Sequence, residues 1–430
     1  MIPIQMNSKI TPVPSCADPF EPGMMSLDEA LSRIESRIVP VHACERLPLR
    51  ECLGRVNNEA VRAPQDVPPL PNSAMDGFAV AIDSLQRQEL TELEEIGTAY
   101  AGRPFEGHCG PGQCVRIMTG ALIPDGADAV IMQEQAETAE NGRIRVDGDH
   151  RAGENIRQAG EDVKQGEVVI DAGVRLSPAD LGVLASLGLA QLQVKRKPVV
   201  AFFSTGDELV PVGEPLEPGQ IYDSNRYTLH GMLSRMAVDI LDLGVVRDDL
   251  ESIRETFADA AIRADLIIST GGVSVGEADY IKPAFEELGS TEFWKIAIKP
   301  GRPLTFGQVD SSISSIFMGL PGNPVAVMVT FSQFVVPAIE VLSGARLRRP
   351  ALFPARSLDS LRKKPGRYEF QRGIATLGDD NRWQVAKTGK QGSGILTSMS
   401  RANCFIVLPD DSAGVEAGDE VHIQFFDWSL

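Results

Sequence analysis

The segment from Leu266 to Tyr280, LIISTGGVSVGEADY, constrains the fold of this chain more than any other. Leu266, Ile267 and Ile268 form a short continuous apolar run, the pattern of a strand buried on both faces. Ser269, Thr270, Gly271 and Gly272 break it, and Val273-Ser274-Val275-Gly276 prolongs the loop. Asp279 then stands as a helix cap, with Tyr280 to Leu288 as the helix. Strand, glycine loop and helix together suit a phosphate: glycine lets backbone approach an anion, and helix-end N–H groups face it. A plain strand-to-helix connection has the same local pattern, so the chemistry must be decided by what surrounds it.

The surroundings repeat the alternation. Val199–Phe203 reads as a strand and Ser204-Thr205-Gly206-Asp207-Glu208 as a turn with two carboxylates. Asn225–Met236 is a helix, Val238–Leu243 a strand and Asp249–Ala261 a helix. Glu292–Ile298, Leu304–Val309 and Ile316–Leu320 are strands, and Val325–Leu342 is a long apolar helix. This order predicts a parallel, three-layer α/β domain of about 150 residues, with ligands off the carboxyl ends of its strands. Gly206, Asp248, Gly271 and Gly322 all fall on that edge.

The flanks differ. Residues 1–24 hold five prolines and no apolar block, a loose leader without a secretory signal. Ser26-Leu27-Asp28-Glu29 has the form of a capping box ahead of a helix, and Ser177-Pro178-Ala179-Asp180 starts another. The stretches 25–67 and 162–196 read as one helical and extended domain. Between them, 68–161 shows short alternating runs split by glycine, a β-rich inserted domain. The α/β domain occupies 197–346. From 347 to 430 strand-like runs return, as in a small barrel.

Composition removes several functions. A net charge of −18 argues against a nucleic-acid surface or an anionic membrane, though not against a small anion met by local positive charge. No stretch reads as a bilayer span. Six cysteines without a CxxC pair and five scattered histidines give no zinc spacing. These features predict a cytoplasmic protein with free thiols.

Local chemistry follows. In PLPNSAMDGFAV, prolines hold an extended loop that presents Asp76; the same loop would serve as a linker with Asp76 capping a turn. Asp207, Glu208, Asp248, Asp249, Glu277 and Asp279 gather at the sheet's edge. Hard oxygen ligands suit Mg²⁺, although helix caps, Asp249 first, account for some of them. Lys295, Lys299 and Arg302, with Lys295 and Lys299 on one side of a continuous strand, form an anion clamp. Gly322 and Asn323, behind Pro321, expose N–H groups at a helix start. Arg372 and the Gln391-Gly392-Ser393-Gly394 run are anion donors or polar loop.

STGDEL, STGGVSVGEADY, KPGRP and GLPGNP, in that order after NSAMDGFAV and RIMTG, resemble the MoeA family, the molybdopterin molybdenumtransferases, from about Met25 onward. The resemblance implies joining molybdate to adenylylated molybdopterin with release of AMP, giving molybdenum cofactor with Mg²⁺ assisting. Asp76, Glu208, Asp248, Asp279, Lys295 and Lys299 fall at its catalytic positions, with Glu208, Asp248 and Asp279 as metal ligands; Asp162 matches a further functional position. Thr119, Ser204, Thr205, Gly206, Gly271, Gly272, Ser274, Arg302, Pro321, Gly322, Asn323, Arg372 and Ser393 would hold pterin or oxyanion. A homodimer is implied, its site between subunits, so that Asp76 and Thr119 serve the other chain. A molybdopterin adenylyltransferase is the implied upstream partner. The other reading is a non-catalytic dimeric scaffold or pterin-binding paralogue. Pro71 and Phe78 depart from the family's Asp and Tyr.

Overall fold

The computed structural model describes residues 24–272, 280–286, 289–309, 314–347 and 349–426. The described chain forms two compact units. One comprises residues up to Glu45, Gly54–Val56 and Lys195 onward; the other comprises Arg46–Leu53 and Asn57–Val194.

The first unit opens with α1, Leu27–Arg37, capped by Ser26, whose side chain accepts the Glu29 N–H. Its α/β sheet has six strands: β1 Val199–Thr205, β2 Asp239–Val246, β3 Leu266–Thr270, β4 Gly289–Lys295, β6 Pro303–Val309 and β7 Ile316–Leu320. A two-residue strand, β5 Ile298–Lys299, lies between β4 and β6 in the chain but pairs elsewhere. The spatial order is β2-β1-β3-β7-β6-β4. The expected parallel sheet is in fact mixed. β6 runs antiparallel to both β7 and β4, because a hairpin-like excursion and not a helix joins β4 to β6.

Strand residues alternate between two helical layers, as the pleat requires. Val200, Phe202, Leu266, Ile268 and Met318 pack against α1, α2 (Ser224–Leu233) and the helix from Pro324. Ala201, Phe203, Ile267 and Phe317 meet α3 (Leu250–Ala261) and α4 (Ile281–Glu286). Three layers result, as expected.

The apolar run Pro324–Leu342 is helical throughout, with a π turn at Phe331–Val335. Pro337 lacks the N–H that an unbroken α-ladder needs, which accounts for the irregular turn. By length and hydropathy this 19-residue segment could span a bilayer, contrary to the sequence reading, but 83% of its most apolar window is buried as core.

Beyond it, β8 Phe353–Ser357, β9 Tyr368–Leu377, β10 Trp383–Lys387, β11 Cys404–Leu408 and β12 Glu420–Phe425 form a closed barrel in the order β9-β10-β8-β12-β11, β9 pairing back with β11. β5 joins this barrel, parallel to β9, with Lys299 opposite Glu369.

In the second unit a six-stranded sheet takes the order Ala129–Met132, Gly77–Val80, Gln113–Ile117, Leu90–Ala99, Ile144–Asp147, Ala136–Thr138. The unit's helix, Pro178–Ser186, begins with the full capping box of Ser177 and Asp180.

Candidate active site

The carboxyl edge of the α/β sheet carries the polar chemistry. β3 ends at Thr270, and Gly271 and Gly272 turn away with φ of +90° and +62°. A Cβ on Gly271 would strike the Thr205 carbonyl, so glycine lets the loop lie directly on the end of β1. Asn225, at the start of α2, fastens neighbouring loops together. Its Nδ2 donates to Thr270 Oγ1 (3.0 Å) and to the Gly322 carbonyl (2.7 Å). Thr270 Oγ1 donates to the Pro321 carbonyl at 3.2 Å. Ser204 Oγ, Asp223 Oδ2 and Asn225 Oδ1 are buried here without a hydrogen-bond partner among the described residues. Orphaned polar atoms of this kind are rare in folded proteins, and a ligand can satisfy them.

The acids sit on the loops after β1 and β2. Asp248 Oδ1 accepts from Thr205 Oγ1 at 3.1 Å. Burial pushes the Asp248 carboxyl above its usual range, and the negative charges of Asp207, Glu208 and Asp249 add to that. Asp249 is the cap of α3, accepting from Ser252 N (2.9 Å) and Oγ (2.8 Å). No three carboxylates, cysteines or histidines among the described residues form a ready-made metal cage. Mg²⁺ needs only one or two carboxylates when substrate phosphates supply the rest, so Glu208 and Asp248 fit it. Asp279, Glu277 and Ser274 lie outside the described residues.

The cations occupy the other end of the edge, and not on one strand. β4 stops at Lys295, whereas Lys299 belongs to the barrel strand β5. Lys299 Nζ pairs with Glu369 Oε1 at 3.1 Å. Arg302, just before β6, is buried. Gly301 (φ +109°) packs on the helix behind it, where a Cβ would come within 2.6 Å of Thr330. Arg372, on β9, is 1% exposed. Its Nε donates to Ser398 Oγ (3.0 Å) and its Nη2 to the Gly392 carbonyl (2.9 Å), and among the described residues no carboxylate pairs with it. Burial lowers its pKa to about 10. The Ser393 carbonyl accepts the Val325 N–H at 3.0 Å, so the helix start behind Asn323 is partly occupied by the barrel loop and not fully exposed.

Acids therefore follow β1 and β2, glycine loops follow β3 and β7, and cations flank β6 and β4. With strands about 4.8 Å apart, the edge runs about 24 Å from the first group to the last.

In the second unit Thr119 donates from its N (2.7 Å) and Oγ1 (2.8 Å) to Asp76 Oδ1. These bonds hold the Asp76 carboxyl below its usual range. Asp162 lies at the surface. Phe78 is buried, with the Arg116 guanidinium 4.9 Å from its ring centroid; Pro71 is half-buried. Sequence reasoning passed over Asn225 and Glu369; Gln391, read from the sequence as an anion donor or polar loop, instead turns its Oε1 to accept the Arg372 N–H at 2.7 Å. A polar Asp-Ser-Asn cluster straight after Tyr222 was the one available signal for Asn225.

A wound sheet bearing cations and acids on one edge, joined to a small barrel, defines a binding fold for a multiply anionic small molecule. The chain belongs to the MoeA family. Residues 25–188 match the MoeA N-terminal region (domain I and II), 201–341 the probable molybdopterin binding domain, and 354–426 the MoeA C-terminal region (domain IV). It is 44% identical to a molybdopterin molybdenumtransferase of Haemophilus influenzae, over 95% of this chain and all of the relative. It is 34% identical to the one from Bacillus subtilis, over 97% of this chain and 95% of the relative. The solved structure of a molybdopterin biosynthesis moeA protein from Pyrococcus horikoshii superposes with a TM-score of 0.79 at 33% identity, covering 94% of this chain and 100% of that one.

Proposed function

We propose that this protein is a molybdopterin molybdenumtransferase of molybdenum cofactor synthesis, taking adenylylated molybdopterin and molybdate and releasing AMP. The supporting observation is the polarity of the sheet edge. An adenylylated pterin is elongated and phosphate-bearing, and an edge of about 24 Å offers acids at one end and cations at the other. The glycine loops between them bring backbone close to the phosphates. Lys299, Arg302 and Arg372 draw the molybdate dianion to the far end, and Ser204, Asp223 and Asn225 offer their unpartnered atoms to the ligand. Glu208 and Asp248, with Asp279, would hold Mg²⁺, which neutralises phosphate charge. Beside them a water or molybdate oxygen attacks the phosphoanhydride, its P–O bond breaks, and AMP leaves. The sulfurs that meet molybdenum belong to the pterin, so no protein thiol is needed.

The enzyme works in the cytoplasm as a homodimer, with Asp76 and Thr119 of one subunit serving the partner's α/β domain. Exposed apolar side chains support this. Leu70, Met75 and Tyr100 surround the Asp76 region in sequence or space, and Val212, Ile221 and Tyr227 follow Glu208, all more than 40% exposed. Sedimentation should give twice 46.4 kDa. A molybdopterin adenylyltransferase supplies the substrate.

The deciding experiment mixes purified protein with adenylylated molybdopterin, molybdate and Mg²⁺. AMP appears, and EDTA stops it. No release from folded protein would leave a scaffold role instead. The pH profile should lose activity on the acid side above the ordinary carboxylate range, because Asp248 must be ionised and its pKa is raised. Neighbouring negative charge contributes to that rise, so Asp207→Asn should move the limb to lower pH. An unmoved limb would remove Asp248 from the rate.

A further inference from the structure

We propose that Glu369 is the positioning residue for Lys299: the barrel's carboxylate, not the α/β sheet, fixes where that ammonium sits for the oxyanion. The inference rests on the reading that Lys299 meets molybdate. β5 is only two residues long and is held by pairing with β9, in a register that sets Lys299 beside Glu369. Glu369 is 6% exposed. Its Oε1 accepts from Lys299 Nζ at 3.1 Å and from Gln371 Nε2 at 3.0 Å. Gln371 is itself buried, and its Nε2 also reaches the Arg362 carbonyl at 3.3 Å, so the carboxylate cannot swing.

Lys299 is the opposite case. Half of its side chain is exposed, and a lysine stem free to rotate would spread its charge over many positions. One N–H to a fixed oxygen removes that freedom and leaves the others for a ligand. Glu369 also acts on the buried Arg372 through its charge, against the lowering by burial, but the hydrogen bonds of that guanidinium go to Ser398 and Gly392, and the carboxylate's own bond goes to Lys299.

Two variants separate aim from charge. Glu369→Asp keeps the charge but withdraws it by one methylene. Glu369→Gln loses the charge but keeps an oxygen in place. Molybdate binding to the full-length protein, measured by calorimetry, should weaken about 10-fold in Glu369→Asp and stay within about 3-fold in Glu369→Gln, with kcat changed less than KM. The reverse order, or tighter binding in Glu369→Gln alone, would mean that Glu369 only tunes local charge and would overturn the proposal. In a Lys299→Ala background Glu369→Asp should have no further effect; a persisting effect shows that it does not act through Lys299. If Lys299→Ala by itself leaves molybdate binding unchanged, the oxyanion assignment fails, and this proposal with it. Melting temperatures within a few degrees of the parent exclude a merely structural loss.

Discussion

Gly271→Ala should reduce AMP release by at least about 100-fold while leaving most of the protein folded. Two separate costs meet at this position. The backbone is at φ +90°, where an L-residue carries strain of about 1–3 kcal/mol. The new methyl would also collide with the Thr205 carbonyl, a main-chain atom that no rotamer change can move. Relief requires the loop after β3 to lift off the end of β1. That displaces Thr270, and with it the bonds from Asn225 and to Pro321 that tie three loops together. Gly142→Ala is the control: φ is +78° and no atom lies within 4 Å of the added carbon. It should show the strain alone, a small fall in melting temperature with turnover intact. Equal activity in the two variants would contradict the packing argument.

Arg372→Met should separate stability from activity. The guanidinium is almost fully buried, no carboxylate among the described residues bonds to it, and burial, only partly opposed by the charge of Glu369, has depressed its pKa to about 10. At neutral pH it is still charged, so the desolvation cost is present in full. Methionine fills similar space without that cost, but strands the Gly392 carbonyl and Ser398 hydroxyl that now accept from the arginine. The two changes roughly cancel, and stability should remain within about 1–2 kcal/mol of the parent. Molybdate-dependent turnover should fall about 10²–10³-fold, as when one pre-organised donor to a developing or bound anion is removed. Thermal unfolding and AMP release on the same preparation check both halves. A large loss of melting temperature would make Arg372 a structural residue first.

Local patterns carried much of the fold. The apolar run at Leu266 to Ile268 is β3, and Ser26, Ser177 and Asp249 cap helices as their side chains allow. These features need only neighbours in the chain. The direction of β6 did not show, because a buried antiparallel strand and a buried parallel one have the same composition. The spacing of Lys295 and Lys299 suggested one strand, but the chain leaves one sheet and enters another between them. Asn225 and Glu369 were missed for a related reason. Their partners, Thr270 and Lys299, are 45 and 70 residues away, and no periodicity encodes such a meeting.

The strand that β5 adds to the barrel gives the two folds a shared seam. Cutting the chain near Gly344 to obtain the α/β part alone would leave Ile298 and Lys299 with bare main-chain groups on the side where β9 now runs. The Ile298 N–H donates to the Ile296 carbonyl and the Tyr368 N–H to the Ala297 carbonyl, so amide exchange at Tyr368 should follow the opening of this seam, while Ile298 should follow its own loop. An engineered exchange of C-terminal modules between relatives would have to carry the 298–299 segment along with its host.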